Sequence, residues 1–162
     1  MCEPIKQDIY SETRVDDPGF VDEHYLIRYL TTPVQIVKNQ DGSGRVSDQA
    51  FKPQKSHAGT SVDILCLLQN IDINPLSKRD IFPNLHAIAQ ITVGIARAHS
   101  GGVAWTPKPE EPLLTGFARE PNEQHGEIIK PISPADARRM VANARLIWIA
   151  EGIDTGPAGS NL

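Results

Sequence analysis

Residues Arg45–Asp63 read RVSDQAFKPQKSHAGTSVD. Small and polar side chains dominate this stretch. It nevertheless lies between a strand-like apolar run, Val34-Gln35-Ile36-Val37, and a core-like one, Ile64-Leu65-Cys66-Leu67-Leu68. Two serine-bearing pieces, Ser47–Phe51 and Ser61–Asp63, bracket a Lys/Pro/Gly loop with a single histidine, His57. Serine in such positions commonly bonds to nearby backbone. With Phe51 turned inward and both serines holding backbone, the stretch is the organising turn of the fold.

Upstream, residues 1–19 are polar and without sustained periodicity, closed by the turn signal Asp16-Asp17-Pro18-Gly19. They read as a polar N-terminal arm. Phe20, Tyr25, Leu26, Tyr29 and Leu30 fit a short helix slightly better than a strand. Thr31-Thr32-Pro33 ends that element, because a residue before proline is biased out of the helical region. Val34–Val37 is a short strand candidate, and Asn39–Gly44 a turn.

Downstream, Ser61–Asn70 is dense in apolar residues. Its Ser61/Asp63 start favours a capped helix, while its β-branched residues favour a strand. His86–Ala98 is the most core-like segment and predicts a central strand whose end, Ala96–His99, turns helical. Val103-Ala104-Trp105 and His125–Ile129 predict two further short strands, with Pro107, Pro109 and Pro112 in an exposed loop between them. Ser133 as N-cap, Pro134 at the first helical position and Asp136 in the first turn predict a closing helix. Its stripe would be Ala137, Met140, Val141, Ala144 and Ile147/Trp148, with Gly152 as its stop. The sum is an α+β domain: a small mixed or antiparallel sheet of short strands with a C-terminal amphipathic helix packed on it. It would span residues 20–152, before a flexible tail at 153–162.

A chain of 162 residues, 40% hydrophobic and 22% charged, is ordinary for one globular domain. A net charge of −4 argues against nucleic-acid binding. The basic residues Arg45, Lys52 and Lys55 read as loop solvation. No apolar run approaches the roughly 18 residues of a membrane helix, and no basic-then-apolar leader is visible. The expectation is a cytoplasmic protein. Cys2 and Cys66, without CxxC spacing, suggest neither a zinc site nor a disulfide, and Cys66 reads as a buried free thiol.

Several chemistries can be weighed residue by residue. Ser47, Ser61 and His125 could meet in space as a nucleophile–base set, although the GxSxG elbow is missing. Arg28, then Ser47 or Ser61, then Glu127 follow the chain order of ADP-ribosyltransferases, in which Arg would hold phosphates and Glu would orient ribose hydroxyls. All are common residue types, and solvation or turn-capping accounts for them as well. His24, with Glu23 beside it, lacks HExxH spacing. His57, His86, His99 and His125 form no ligand pattern, so neither metal nor cofactor is expected. Arg45, Phe51, His57 and Trp105 are the candidate binding residues; tryptophan beside an exposed loop often anchors a partner.

Gly44-Arg45-Val46-Ser47-Asp48-Gln49-Ala50-Phe51-Lys52-Pro53, then Ser61-Val62-Asp63, Ala89–Ala96 and Gln124–Ile128, resemble the pattern of a group of small bacterial proteins. The resemblance spans roughly residues 34–150, with Gly126 replacing the usual alanine. It implies that Ser47, Phe51, Ser61 and His125 belong to one constellation, and it brings no reaction with it. The leading expectation is a non-catalytic binding module acting through another protein, such as an immunity or accessory component of a toxin or defence system. A small-molecule ligand is the other partner class left open. The alternative is an enzyme built on Ser47, Ser61 and His125, hydrolytic or ADP-ribosyl-transferring.

Overall fold

The computed structural model describes residues 2–11, 13–41, 43–51, 59–80, 84–109, 111–112, 118–119, 122–130 and 133–150. Its elements are β1 (Tyr25–Leu30), β2 (Ile36–Lys38), β3 (Gly44–Val46), β4 (Gly59–Ile64), α1 (Leu65–Asn70), β5 (Ala87–Thr92), α2 (Val93–His99) and β6 (Val103–Trp105). They continue with β7 (Glu111–Pro112), β8 (Ala118–Arg119), β9 (His125–Ile129), α3 (Pro134–Ala142) and β10 (Arg145–Ile149). Six strands form one sheet in the order β10-β5-β1-β4-β9-β6, and every neighbouring pair is antiparallel. β2–β3 and β7–β8 are separate two-stranded ribbons.

The segment expected as a helix from Phe20 is strand β1. Leu26 and Leu30 enter the main core, while Ile27 and Tyr29 face a second cluster with Leu85, Ile88 and Trp148. A strand covered on both faces shows no polar–apolar alternation, which is why its spacing imitates a helix. Both readings of Ser61–Asn70 hold for part of it. The chain runs as β4 to Ile64 and turns directly into α1, without a side-chain cap. β5 passes into α2 in the same way, with Thr92 Oγ1 accepting the Ile95 N–H.

The closing element is a second correction. Ser133 caps α3 by accepting from the Asp136 N–H at 3.1 Å, but the helix ends at Ala142 and Asn143. Leu146-Ile147-Trp148-Ile149 then form edge strand β10 against β5, with a bulge between Leu146 and Trp148. β-branched and aromatic side chains fit a pleated edge better than a helix, so the stripe splits after Val141.

The cysteines are a third correction. Cys66 is not a free thiol: it is disulfide-bonded to Cys2, with a Cα–Cα distance of 6.1 Å across a sequence separation of 64. Spacing along the chain carries no information about such a contact, which depends on where the leader travels. That leader, expected as an arm, is packed along β6. Gln7 N–H donates to Trp105 O (2.8 Å) and Asp17 N–H to Val103 O (2.9 Å), so this edge of the sheet is covered. Among the described residues, no helix is long and apolar enough to cross a membrane.

Candidate functional site

The organising turn folds from the residues upward. Ser47 Oγ donates to Val34 O and accepts from the Gln49 N–H, tying the turn to the β2–β3 ribbon. Ala50 and Phe51 are fully buried. Thr60 Oγ1 donates to Phe51 O at 3.0 Å, joining the turn to β4. Arg28 completes the junction: its Nε donates to Ala50 O and its Nη1 to Ser61 O, both at 3.0 Å. Burial pushes the Arg28 guanidinium down to about 10.

Across from this turn, β4 and β9 pair over their whole length. Ser61 stands opposite Glu127, and Asp63 opposite His125. Ile64 N–H donates to Gln124 O, which makes Asp63–His125 a non-hydrogen-bonded pair. In such pairs the Cα atoms approach to about 4.5 Å and the side chains lie close. Ser61, Asp63, His125 and Glu127 therefore share one face of the sheet. Asp63 accepts from Tyr29 Oη (3.0 Å) and from Asn122 Nδ2 (2.8 Å). Burial, and then the Asp63 charge, raise the Tyr29 phenol well above its ordinary range.

His125 is 3% exposed. Its Nδ1 lies 2.7 Å from Thr106 O and 3.1 Å from Thr106 Oγ1. A carbonyl only accepts, so Nδ1 carries the proton and Nε2 bears the lone pair of the neutral ring. Nε2 is buried and has no hydrogen-bond partner among the described residues. Burial, followed by the nearby Lys108 charge, lowers this imidazole to about 4. Glu127 forms an ion pair with Arg14 from the leader, the two side chains only 4% and 5% exposed. Arg14 also donates to the carbonyls of Ser11 and Ile9. Two buried groups with displaced pKa values, Tyr29 and His125, set among buried carboxylates are a physical mark of a site, and a structural ion-pair network leaves the same mark.

The sequence-derived candidates divide accordingly. Ser61, His125 and Glu127 come together. Ser47 bonds instead at the β2–β3 ribbon. Arg28 does not share their face: Ile27 is registered with Asp63 and Leu26 with Ile64, so alternation sends Arg28 to the side opposite Glu127. Trp105 donates from Nε1 to Glu123 O at 2.6 Å, with Lys6 Nζ 5.3 Å from its ring centroid. Arg45 is exposed on β3, and His57 lies outside the described residues, as do Lys52 and Lys55. His99 bonds Asp136 at 3.1 Å, joining α2 to α3. Among the described residues no cluster of His, Cys, Asp and Glu could hold a metal ion.

Tyr29, Asp63, Thr106, Asn122 and Arg14 escaped the sequence reading. One signal was available: Ser61-x-Asp63 and His125-x-Glu127 each place two polar residues at strand period within otherwise apolar runs. Gly126, between the latter two, is fixed by close approach. A Cβ there would stand 2.6 Å from Ile64 Cδ1 and 2.8 Å from Ala104 O. No protein-family model, curated protein or solved structure matches this chain.

Proposed function

We propose that the chain is a small binding module that acts through a protein partner, an accessory or immunity-type component being one concrete form. The observation carrying this reading is the surface of the leader. Ile5, Tyr10 and Val15 are 71%, 68% and 63% exposed on a single loop. The loop is braced by bonds within itself: Ile5 N–H donates to Asp17 Oδ2 (2.6 Å), Gln7 Nε2 to Val15 O (2.7 Å) and Val15 N–H to Gln7 Oε1 (3.0 Å). Large apolar side chains held outward on a pre-ordered backbone lose little entropy on docking. The polar groups that an enzyme would need free are largely engaged: Asp63, Glu127, Ser47 and Arg28 all have partners within the fold.

The test compares the wild-type chain with Tyr10→Ser/Val15→Ser as bait in cells of its source, with thermal unfolding as a control. A partner captured by wild type and lost from the equally stable double variant supports the reading. Turnover of NAD, nucleotides or esters by the purified chain, abolished by His125→Ala or Ser47→Ala, overturns it.

One observation favours a second reading, an acid–base enzyme. His125 Nε2 is a buried lone pair without a hydrogen-bond partner among the described residues, on the same face as Asp63 and Glu127. The ADP-ribosyl-transferring form loses support because Arg28 and Glu127 lie on opposite faces of the sheet. A hydrolytic form would use Ser61 and His125.

A further inference from the structure

Three features of the leader combine in a way that neither reading above uses. Its start is held to α1 by Cys2–Cys66. Its backbone covers the outer edge of β6 through Gln7 and Asp17. Its Arg14 supplies the cation that faces the buried Glu127 carboxylate. A carboxylate on an inner strand is a costly thing to bury, and a fold selected for stability alone does as well with apolar residues there. Here the compensating charge comes from a loop whose attachment includes a reducible bond.

We infer that residues 2–11 and 13–15 are a redox-released cover: reduction of Cys2–Cys66 frees this part of the leader, withdraws Arg14 from Glu127 and bares the Trp105 end of the β6 edge. In the reducing step a dithiol passes two electrons to the bridge and is itself oxidised to a disulfide. The sulfurs of Cys2 and Cys66 take up two protons and become thiols. Cys2 and Cys66 are 5% and 9% exposed, so the dithiol reaches the bridge when the leader lifts locally. Once it is cut, the segment keeps the Gln7 backbone bond, the Lys6 contact with the Trp105 ring and the Arg14–Glu127 pair, none of them covalent, while Asp16 and Asp17 stay tied to Arg97 and Val103. The carbonyl of Trp105 then lies on an open strand edge.

The experiment is amide hydrogen exchange on the full chain, air-oxidised and after treatment with dithiothreitol, with Cys2→Ser as a reductant-free counterpart. Ile5, Gln7 and Val15 all donate backbone N–H bonds in the closed state, so they report on the cover. Reduction and Cys2→Ser should each speed their exchange at least about tenfold while the β5 amides keep their protection. Unchanged exchange at those three positions overturns the inference. So does loss of protection throughout β5, which would make the bridge a staple of the whole fold. Alkylation of both cysteines in the oxidised protein, detected by mass, also overturns it.

Discussion

The Arg14–Glu127 pair offers a sharp quantitative test, because its two members are held so differently. Glu127 stands on β9, an inner strand paired on both sides by β4 and β6, and cannot reach water. Arg14 sits on the leader, outside the sheet, with its side chain turned in to Glu127. Removing one partner of a buried pair costs about 3–5 kcal/mol when the remaining charge stays buried. Arg14→Met leaves the carboxylate in place and should cost that full amount. At about 2–4 °C per kcal/mol for a chain of this size, melting should fall by roughly 6–20 °C. Glu127→Leu lets the guanidinium escape to solvent and should cost less, about 1–3 kcal/mol, mainly through lost loop packing. The double variant should be more stable than Arg14→Met, with a coupling of at least about 2 kcal/mol. Urea unfolding followed by circular dichroism, with slopes compared across all four proteins, measures each corner of the cycle. Additive single effects, or a larger loss from Glu127→Leu, would refute the reasoning.

His125 should make stability depend on pH. Its folded pKa of about 4 lies below the ordinary 6.5, so the unfolded chain binds more protons between those values. Stability should therefore fall by about 3 kcal/mol as pH drops from 6.5 to 4, and His125→Gln should flatten that part of the urea-midpoint profile. Arg28→Met removes donors from the carbonyls of Ala50 and Ser61 and should cost about 2–4 kcal/mol in urea unfolding. An unchanged midpoint would deny Arg28 its place in the turn. Gly126→Ala must push aside Ile64 or the Ala104 carbonyl and should cost about 1–3 kcal/mol, read as a lower melting temperature. Tyr29→Phe leaves one oxygen of Asp63 without its donor and should cost about 1–3 kcal/mol by the same measurement.

The structure gives a local reason for glycine at position 126. Ile64 and the β6 backbone come so close that no Cβ fits. The consequence reaches the candidate site, since Gly126 separates His125 from Glu127 and lets β6 pack tightly beside both.

The sequence by itself determined the local events. Strands at Val103–Trp105 and His125–Ile129, a strand within His86–Ala98 that ends helical, the Ser133 cap and an inward Phe51 are legible from short-range chemistry and occur, although the helix begins at Val93 and takes in Val93 and Ile95, which read as strand. Tertiary structure decided whatever depends on a partner distant in the chain. β1 is a strand because β4 and β5 flank it, and Leu146–Ile149 leave the helix because the β5 edge is open to them. The same holds for the Cys2–Cys66 bridge and the Arg14–Glu127 pair. The organising turn shows both sides of this division. Its composition announced a turn bonded to backbone. Only the antiparallel pairing of β4 with β9 brought Asp63 to His125 and Ser61 to Glu127, because strand register is fixed by long-range packing and not by residue type.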